Sequence, residues 1–404
     1  MMARLTLILL LTASPALSAA PAPGAEPCSN SGDFSRWLTE FRAEAAAEGI
    51  SQRTIDTALR GITLDPATIS KDRRQGFYWQ DFLMFSGRLA TADRITRGQK
   101  KLKTEAALFA RIDRDYGVPA PVIAAFWALE SDFGLAMGKM PILRSLATLA
   151  YDCRRGPMFR TQFLDALRVI DRGDLKAGEM IGSWAGELGQ MQFLPSHYFN
   201  HGVDYDGDGK RNLLSSTPDV VASTAAYLAS IGWRKGEPWI EEVRVPASMA
   251  WQEADITIRK PRRAWSSLGV TTPNGKPLAA DELAAALLLP MGRNGPAFLA
   301  YSNFDIYLEW NHSLNYALTA AYLARRIEGD PAMRRGNAAV PPFGINEIER
   351  LQQILLDDGY PVGKVDGKLG TNTRAAVRQA QIRLQLPADA YPTPELLRLL
   401  TDGR

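Results

Sequence analysis

Apolar residues recur at helical spacing along most of the chain. Between Phe34 and about Tyr116 they return every three or four positions; Phe34, Trp37, Leu38 and Phe41 fall on one face of a helix, because a 3.6-residue turn stacks such positions into a stripe. The aromatic run Phe77, Tyr78, Trp79, Phe82 and Phe85 has the same spacing and reads as core packing rather than as a sugar platform. A second helical block runs from Pro121 to about Asp171. A Gly-rich stretch follows, Gly182 to Tyr198, then an Asp-rich loop, Asp204 to Asp208, and a further helix over 220–231. From Trp239 to about Val270 the runs shorten and turn β-like (Ile240, Val243, Val245; Ile256, Ile258), and a helix is expected again over 315–327.

Residues 329–342 contain Pro331, Gly336, Pro341 and Pro342 and lack apolar periodicity, so they read as a linker. Beyond them, helices are expected over 345–357, 371–384 and 394–400, with a Gly-rich turn after the first. The chain thus divides into a large, mainly α unit over 28–328, carrying a small β segment, and a three-helix unit over 343–402. Its 404 residues suit that division.

Composition changes this picture little: 46% hydrophobic and 23% charged residues describe a globular protein with a sizeable core. Net charge is only +3, with acids and bases interleaved, which excludes the basic surface that binds nucleic acid. The N-terminus adds more. Arg4, the apolar run Leu5–Leu11 and the small residues to Ala20 have the layout of a signal peptide over 1–20. Export to the periplasm follows; an N-terminal membrane anchor is the competing reading. Cys28 follows Glu26-Pro27 rather than small residues, which disfavours a lipoprotein cut. An oxidising compartment would let Cys28 and Cys153, the two cysteines, form a disulfide; two unpaired thiols are the alternative.

The candidate chemistry begins with Glu130. Two prolines, Pro119 and Pro121, suit a helix start and Gly134 suits its end. Ile123, Phe126 and Trp127 stand seven, four and three residues before Glu130, so the carboxylate shares their apolar face while Asp132 points elsewhere. Lost hydration disfavours the charged form and raises the pKa, which makes a Glu a proton donor near neutrality. A Glu paired with an Arg inside the fold is the alternative on this pattern alone. The Gly-rich stretch, with its Ser, Gln and aromatic residues, is compatible with sugar contacts but weak by itself.

Four ordered motifs sharpen the reading. They are Glu130-Ser-x-Phe-Gly134; Gly182-Ser-Trp-Ala-Gly-x-Leu-Gly-Gln-x-Gln-Phe-Leu-Pro-Ser-x-Tyr198; Asp204-Tyr-Asp-Gly-Asp-Gly209; and Tyr301-Ser-Asn-Phe304 with Asn311-His-Ser313. Together they resemble the membrane-bound lytic transglycosylase B family over roughly 33–328. The resemblance implies a lysozyme-like α-helical fold with a groove for the glycan strands of peptidoglycan. It implies Glu130 as catalytic acid/base and Ser183, Gln192, Phe193, Tyr227 and Asn303 as substrate contacts. Glu187 and Gln190 fall where family members vary and receive no role. The implied reaction cleaves the bond between N-acetylmuramic acid and N-acetylglucosamine without water. Glu130 protonates the bridging oxygen, the substrate's N-acetyl group assists (with Ser183 as its hydrogen-bond partner), and Glu130 then takes the proton of the C6 hydroxyl. A 1,6-anhydro sugar results. Most glycosidases place a second carboxylate at such a site; the sequence offers no convincing one.

Asp204, Asp206, Asp208 and the Lys210 carbonyl match the opening of an EF-hand loop. Position twelve holds Ser215 in place of Glu, and Asp219 is the closing ligand that the resemblance suggests. Structural calcium is therefore a candidate, with an Asx-rich surface turn as the alternative; no cofactor is required for catalysis. The tail, with Leu351-Gln-x-x-Leu355, Gly359-Tyr360, Gly363, Asp366-Gly-Lys-Leu-Gly370, Thr373, Ala376-Val377 and Gln381, resembles a three-helix peptidoglycan-binding domain. Leu369 and Ala380 replace its usual aromatics.

A hydrolytic muramidase would use the same acid with water. A zinc amidase would need a His-rich ligand set, and His197, His201 and His312 form no such array. A non-catalytic wall-binding scaffold is the reading from a different class. Partners in wall synthesis or division are an expectation from the context of the wall.

Overall fold

The computed structural model describes residues 32–74 and 80–403. The signal-peptide reading over 1–20, Cys28 and with it the pairing to Cys153, and the aromatics Phe77, Tyr78 and Trp79 lie outside these residues. Seventeen α-helices run through the described residues, so the mainly α, lysozyme-like expectation holds.

At the centre is the helix Ala120–Ser131, with nine of its twelve residues buried. Burial runs round the whole circumference rather than along one stripe, because helices Ala92–Thr104, Ala106–Tyr116, Thr217–Ser230 and Leu314–Glu328 surround it. Pro119 caps its start with extended backbone, and Asp132 ends it in the left-handed conformation. Arg94 fixes that turn by pairing with the Asp132 carboxylate at 2.7 Å. Asp132 is thus structural and points away from Glu130. Phe82 starts the helix Phe82–Leu89 and is buried in the core, as the spacing of its aromatic run predicts.

Beside the helical body lies a four-stranded antiparallel sheet in the order Ile240–Val243, Ala297–Ala300, Ala284–Leu288, Arg259–Pro261. Its two middle strands are not marked in the sequence. Ala285, Ala286 and Leu287 are all fully buried, so both faces are covered and the polar alternation that reveals a strand is missing.

The tail forms three helices, Ile345–Asp357, Thr371–Arg383 and Pro394–Asp402, around Ile348, Leu351, Leu355, Val377 and Leu396. Gln352 ties it together. Its amide donates to Asp366, the Lys368 carbonyl and Thr373, and its oxygen accepts from Asp366 and Gly367. The tail is docked on the large unit. Arg374 donates to the Pro290 carbonyl at 2.7 Å, Arg378 pairs with Asp255, and the Arg293 backbone donates to Asp389 at 2.9 Å. Burial draws the Arg374 guanidinium down to about 10. The connecting segment is fastened too, through Asn337 N to the Asn294 carbonyl and Arg334 N to Glu242. No described helix is long and apolar enough to cross a membrane.

Candidate active site

Glu130 occupies the last turn of the central helix and is half-buried. Ile123, Phe126 and Trp127 beneath it are at most 1% exposed. Two donors meet its Oε1. Trp310 Nε1 lies at 2.8 Å, and the Tyr316 hydroxyl makes a second, very short bond. Among the described residues no group bonds Oε2. Desolvation raises the Glu130 carboxyl to about 7; the two hydrogen bonds pull it down and the Glu187 charge adds to the rise. The result is an acid with one oxygen anchored, the other open, and a proton held near neutrality.

The sequence reading missed both donors, although they flank one of its motifs. Asn311 accepts the Ser313 N–H at 3.0 Å, and Ser313 caps the helix Leu314–Glu328 by accepting the Tyr316 N–H at 3.4 Å. Asn311-His-Ser313 is thus a helix cap that aims Tyr316 at Glu130. Trp310, just before the cap, stacks on Phe126 with ring centroids 4.2 Å apart, which turns its indole N–H to the carboxylate.

The Gly182–Tyr198 segment lies against the end of the Glu130 helix. Trp127 Nε1 donates to Gln190 Oε1 at 2.8 Å, and Ser131 Oγ to the Gln190 carbonyl at 2.6 Å. Gln190, given no role from sequence, is the clasp between helix and loop. Gly138, with φ of 91°, has no room for a Cβ, which would strike the Gly182 backbone, and a Cβ on Gly182 would strike the Glu187 carbonyl. That close approach permits the short pairing Met140–Gly182, which fixes Ser183.

The predicted contact residues fall into different places. Ser183 lies in the loop and donates to Glu187 Oε2 at 3.0 Å. Gln192, in a left-handed conformation, gives its amide to the carbonyls of Met137 and Gly189 and so fastens the loop. Phe193 is 3% exposed and supports the layer above it, where its ring meets Tyr227 and Trp310. Tyr227 stacks on His197, with centroids at 4.6 Å. Asn303 must be corrected. It is fully buried, and its amide bonds Arg234 N, the Arg234 carbonyl and the Glu237 carbonyl. No part of it is left for a substrate; it braces the 234–237 turn. Glu187, which received no role from the sequence, is near enough for its charge to act on both Glu130 and Tyr316.

The acidic loop brings carboxylate oxygens of Asp204, Asp206 and Asp219 within 4.8 Å of one another. Asp208 falls outside this set, with its Oδ1 accepting the Lys210 N–H at 2.8 Å. Asp204 accepts from Gly207 and Gly209, and buried Asp219 accepts from Tyr205 and Asn212. The loop is therefore preformed. No described Lys or Arg makes an ion pair with these three acids, and such a set of hard oxygens fits a divalent cation.

Fold and site together describe an enzyme that works through one buried general acid. The chain belongs to the Transglycosylase SLT domain family, which it matches over residues 33–325, and residues 345–400 match a peptidoglycan binding domain family. It is a lytic transglycosylase. It is 28% identical to membrane-bound lytic murein transglycosylase B of Escherichia coli over 249 residues, 61% of this chain and 67% of that protein. Among solved structures it is similar to SltB3 of Pseudomonas aeruginosa in complex with NAG-anhNAM-pentapeptide, at 41% identity and a TM-score of 0.85, covering 91% of this chain and 99% of that one. It is also similar to the E. coli lytic transglycosylase Slt35 in complex with calcium, at 25% identity and a TM-score of 0.61, covering 72% and 92%.

Proposed function

We propose that this enzyme cleaves the β-1,4 bond between N-acetylmuramic acid and N-acetylglucosamine in peptidoglycan and closes the product as a 1,6-anhydro sugar. The observation that carries the reading is Glu130, an acid near pH 7 with Oε1 held by Trp310 and Tyr316 and Oε2 open. Oε2 delivers its proton to the bridging oxygen as that oxygen leaves the anomeric carbon. The substrate's acetamido oxygen bonds that carbon in its place. The C6 hydroxyl oxygen then displaces the acetamido oxygen and passes its proton back to Glu130, so one residue serves as acid and then as base. The complex of SltB3 with NAG-anhNAM-pentapeptide is consistent with this chemistry.

Mass spectrometry of purified peptidoglycan after digestion tests the proposal. Anhydro-muropeptides are expected from the wild type and none from Glu130→Gln. Glu187, as a second nearby carboxylate, is what a hydrolytic muramidase would possess; reducing, hydrolysed ends alone would establish that reading instead.

Asp204, Asp206 and Asp219 would hold a structural Ca2+, and the Slt35–calcium structure supports this. The export signal read at 1–20 supports action in the periplasm, where the three-helix domain would keep the enzyme on the wall and a Cys28–Cys153 disulfide could form.

A further inference from the structure

Ser183 has no free hydrogen-bonding capacity. A hydroxyl has one proton to give and two lone pairs to accept with. The Ser183 proton goes to Glu187 Oε2 at 3.0 Å, and its oxygen accepts the N–H groups of Ala185 at 3.1 Å and Glu187 at 3.3 Å. A sugar acetamido group reaching this corner therefore meets a serine already committed on every side. What it meets unoccupied is Glu187 Oε1, which no described residue bonds.

Glu187 is held firmly enough to act. Its carbonyl accepts the Ser183 N–H at 2.8 Å, and the next residue bridges back to both Gly182 and Phe193. The side chain is half-buried. The charged and titratable groups around it are Glu130, the Tyr316 hydroxyl and Arg155. Burial raises the Glu187 carboxyl above its ordinary value, and the Ser183 hydrogen bond and then the Arg155 charge oppose that rise and favour the ionised form.

We propose that Glu187 is a second carboxylate of the reaction centre, whose Oε1 accepts the N–H of the substrate's 2-acetamido group and turns its acyl oxygen onto the anomeric carbon. This rests on the acetamido participation proposed above. As the acyl oxygen–C1 bond forms and the C1–bridging oxygen bond breaks, with the Glu130 proton leaving on the bridging oxygen, the cyclised acetamido group becomes a cation. Its positive charge lies on the O–C–N unit, and the N–H becomes a much stronger donor. A carboxylate bonded there stabilises the cation more than the neutral substrate, which is how a group accelerates a step rather than merely binding. When the C6 oxygen takes C1 and its proton returns to Glu130, the acetamido group is neutral again and Glu187 is unchanged. Ser183 is then a positioning residue, holding Glu187 Oε2 so that Oε1 faces the sugar.

The test uses the full chain, with wild type, Glu187→Gln and Glu187→Ala compared on a defined muropeptide tetrasaccharide. Binding of a MurNAc-thiazoline, a stable mimic of the cyclic cation, is measured beside binding of a plain GlcNAc-MurNAc disaccharide. For Glu187→Gln we expect kcat to fall by about 10- to 100-fold with KM and melting temperature little changed. Thiazoline affinity should fall by a similar factor while disaccharide affinity stays. Glu187→Gln with wild-type kcat and thiazoline affinity would overturn the role of Glu187, as would a covalent sugar ester trapped on it. A wild type that binds thiazoline no better than disaccharide overturns the acetamido reading itself, independently of Glu187.

Discussion

The Tyr316 phenol donates to Oε1 of Glu130, so the helix that packs along the core also decides which oxygen of the acid is open. Its bond favours the carboxylate, against the larger effect of burial. Tyr316→Phe should therefore raise the Glu130 pKa further. Since protonation of the bridging oxygen needs the acid form, the decline of kcat/KM above about pH 7 should move to higher pH. At the optimum the rate should drop by about 10-fold, because the open oxygen is no longer held in register. A pH–rate profile checks both; an unmoved basic limb would refute the link.

Glu130 also makes stability depend on pH. Its carboxyl titrates at about 7 when folded, against 4.5 without the fold. Between these values only the folded state keeps the proton. Stability is therefore full below about 4.5 and falls as pH rises through about 7, with a loss of up to ~3 kcal/mol. Glu130→Gln escapes this, since its amide oxygen still accepts from Trp310 and Tyr316. It should melt about 4 °C above wild type at pH 8 and close to it at pH 4.5. Equal melting-temperature gaps at the two pH values would count against the buried acid.

Asn303→Ala should damage the fold and leave the chemistry alone. It strands the Arg234 N–H and two carbonyls in a fully buried place, at a cost of roughly 2–4 kcal/mol. Urea unfolding should show that loss, while kcat/KM per folded molecule stays near wild type. A selective rise in KM would return Asn303 to the groove.

Calcium should raise the melting temperature if Asp204, Asp206 and Asp219 hold it, by the equivalent of ~3 kcal/mol at a hundred times its Kd. Asp219→Asn should abolish the shift, since it removes the buried member of the cluster. A scan with excess chelator and then with excess Ca2+ decides the matter; superimposable curves would remove the site.

Two oxygens and their donors show how far the sequence could be read. Glu130 was legible because its helix supplies its apolar surroundings within seven residues, and local spacing reports local neighbours. Trp310 and Tyr316 act on it from 180 and 186 residues away, and no periodicity links such positions. Glu187 received no role because it falls where family members vary; its contact with Ser183, four residues earlier, appears only once the loop has folded back. Asn303 was misread for the opposite reason. It lies in a motif near the site, but its amide serves a turn that only the fold brings alongside. The middle strands of the sheet escaped notice because alanines covered on both faces carry no alternating signal.

The docked tail has a consequence for the way the enzyme meets its substrate. Arg374 and Arg378 reach carbonyls and a carboxylate of the large unit, and the connecting segment is stitched down along its course. A wall-binding module on a loose tether would let the cleft search a sphere around its anchorage. Here the three-helix tail and the Glu130 site keep one bearing, like the two legs of a locked pair of compasses. A tail that holds the wall would thereby present glycan strands to Glu130 at a fixed angle and offset from the point of attachment.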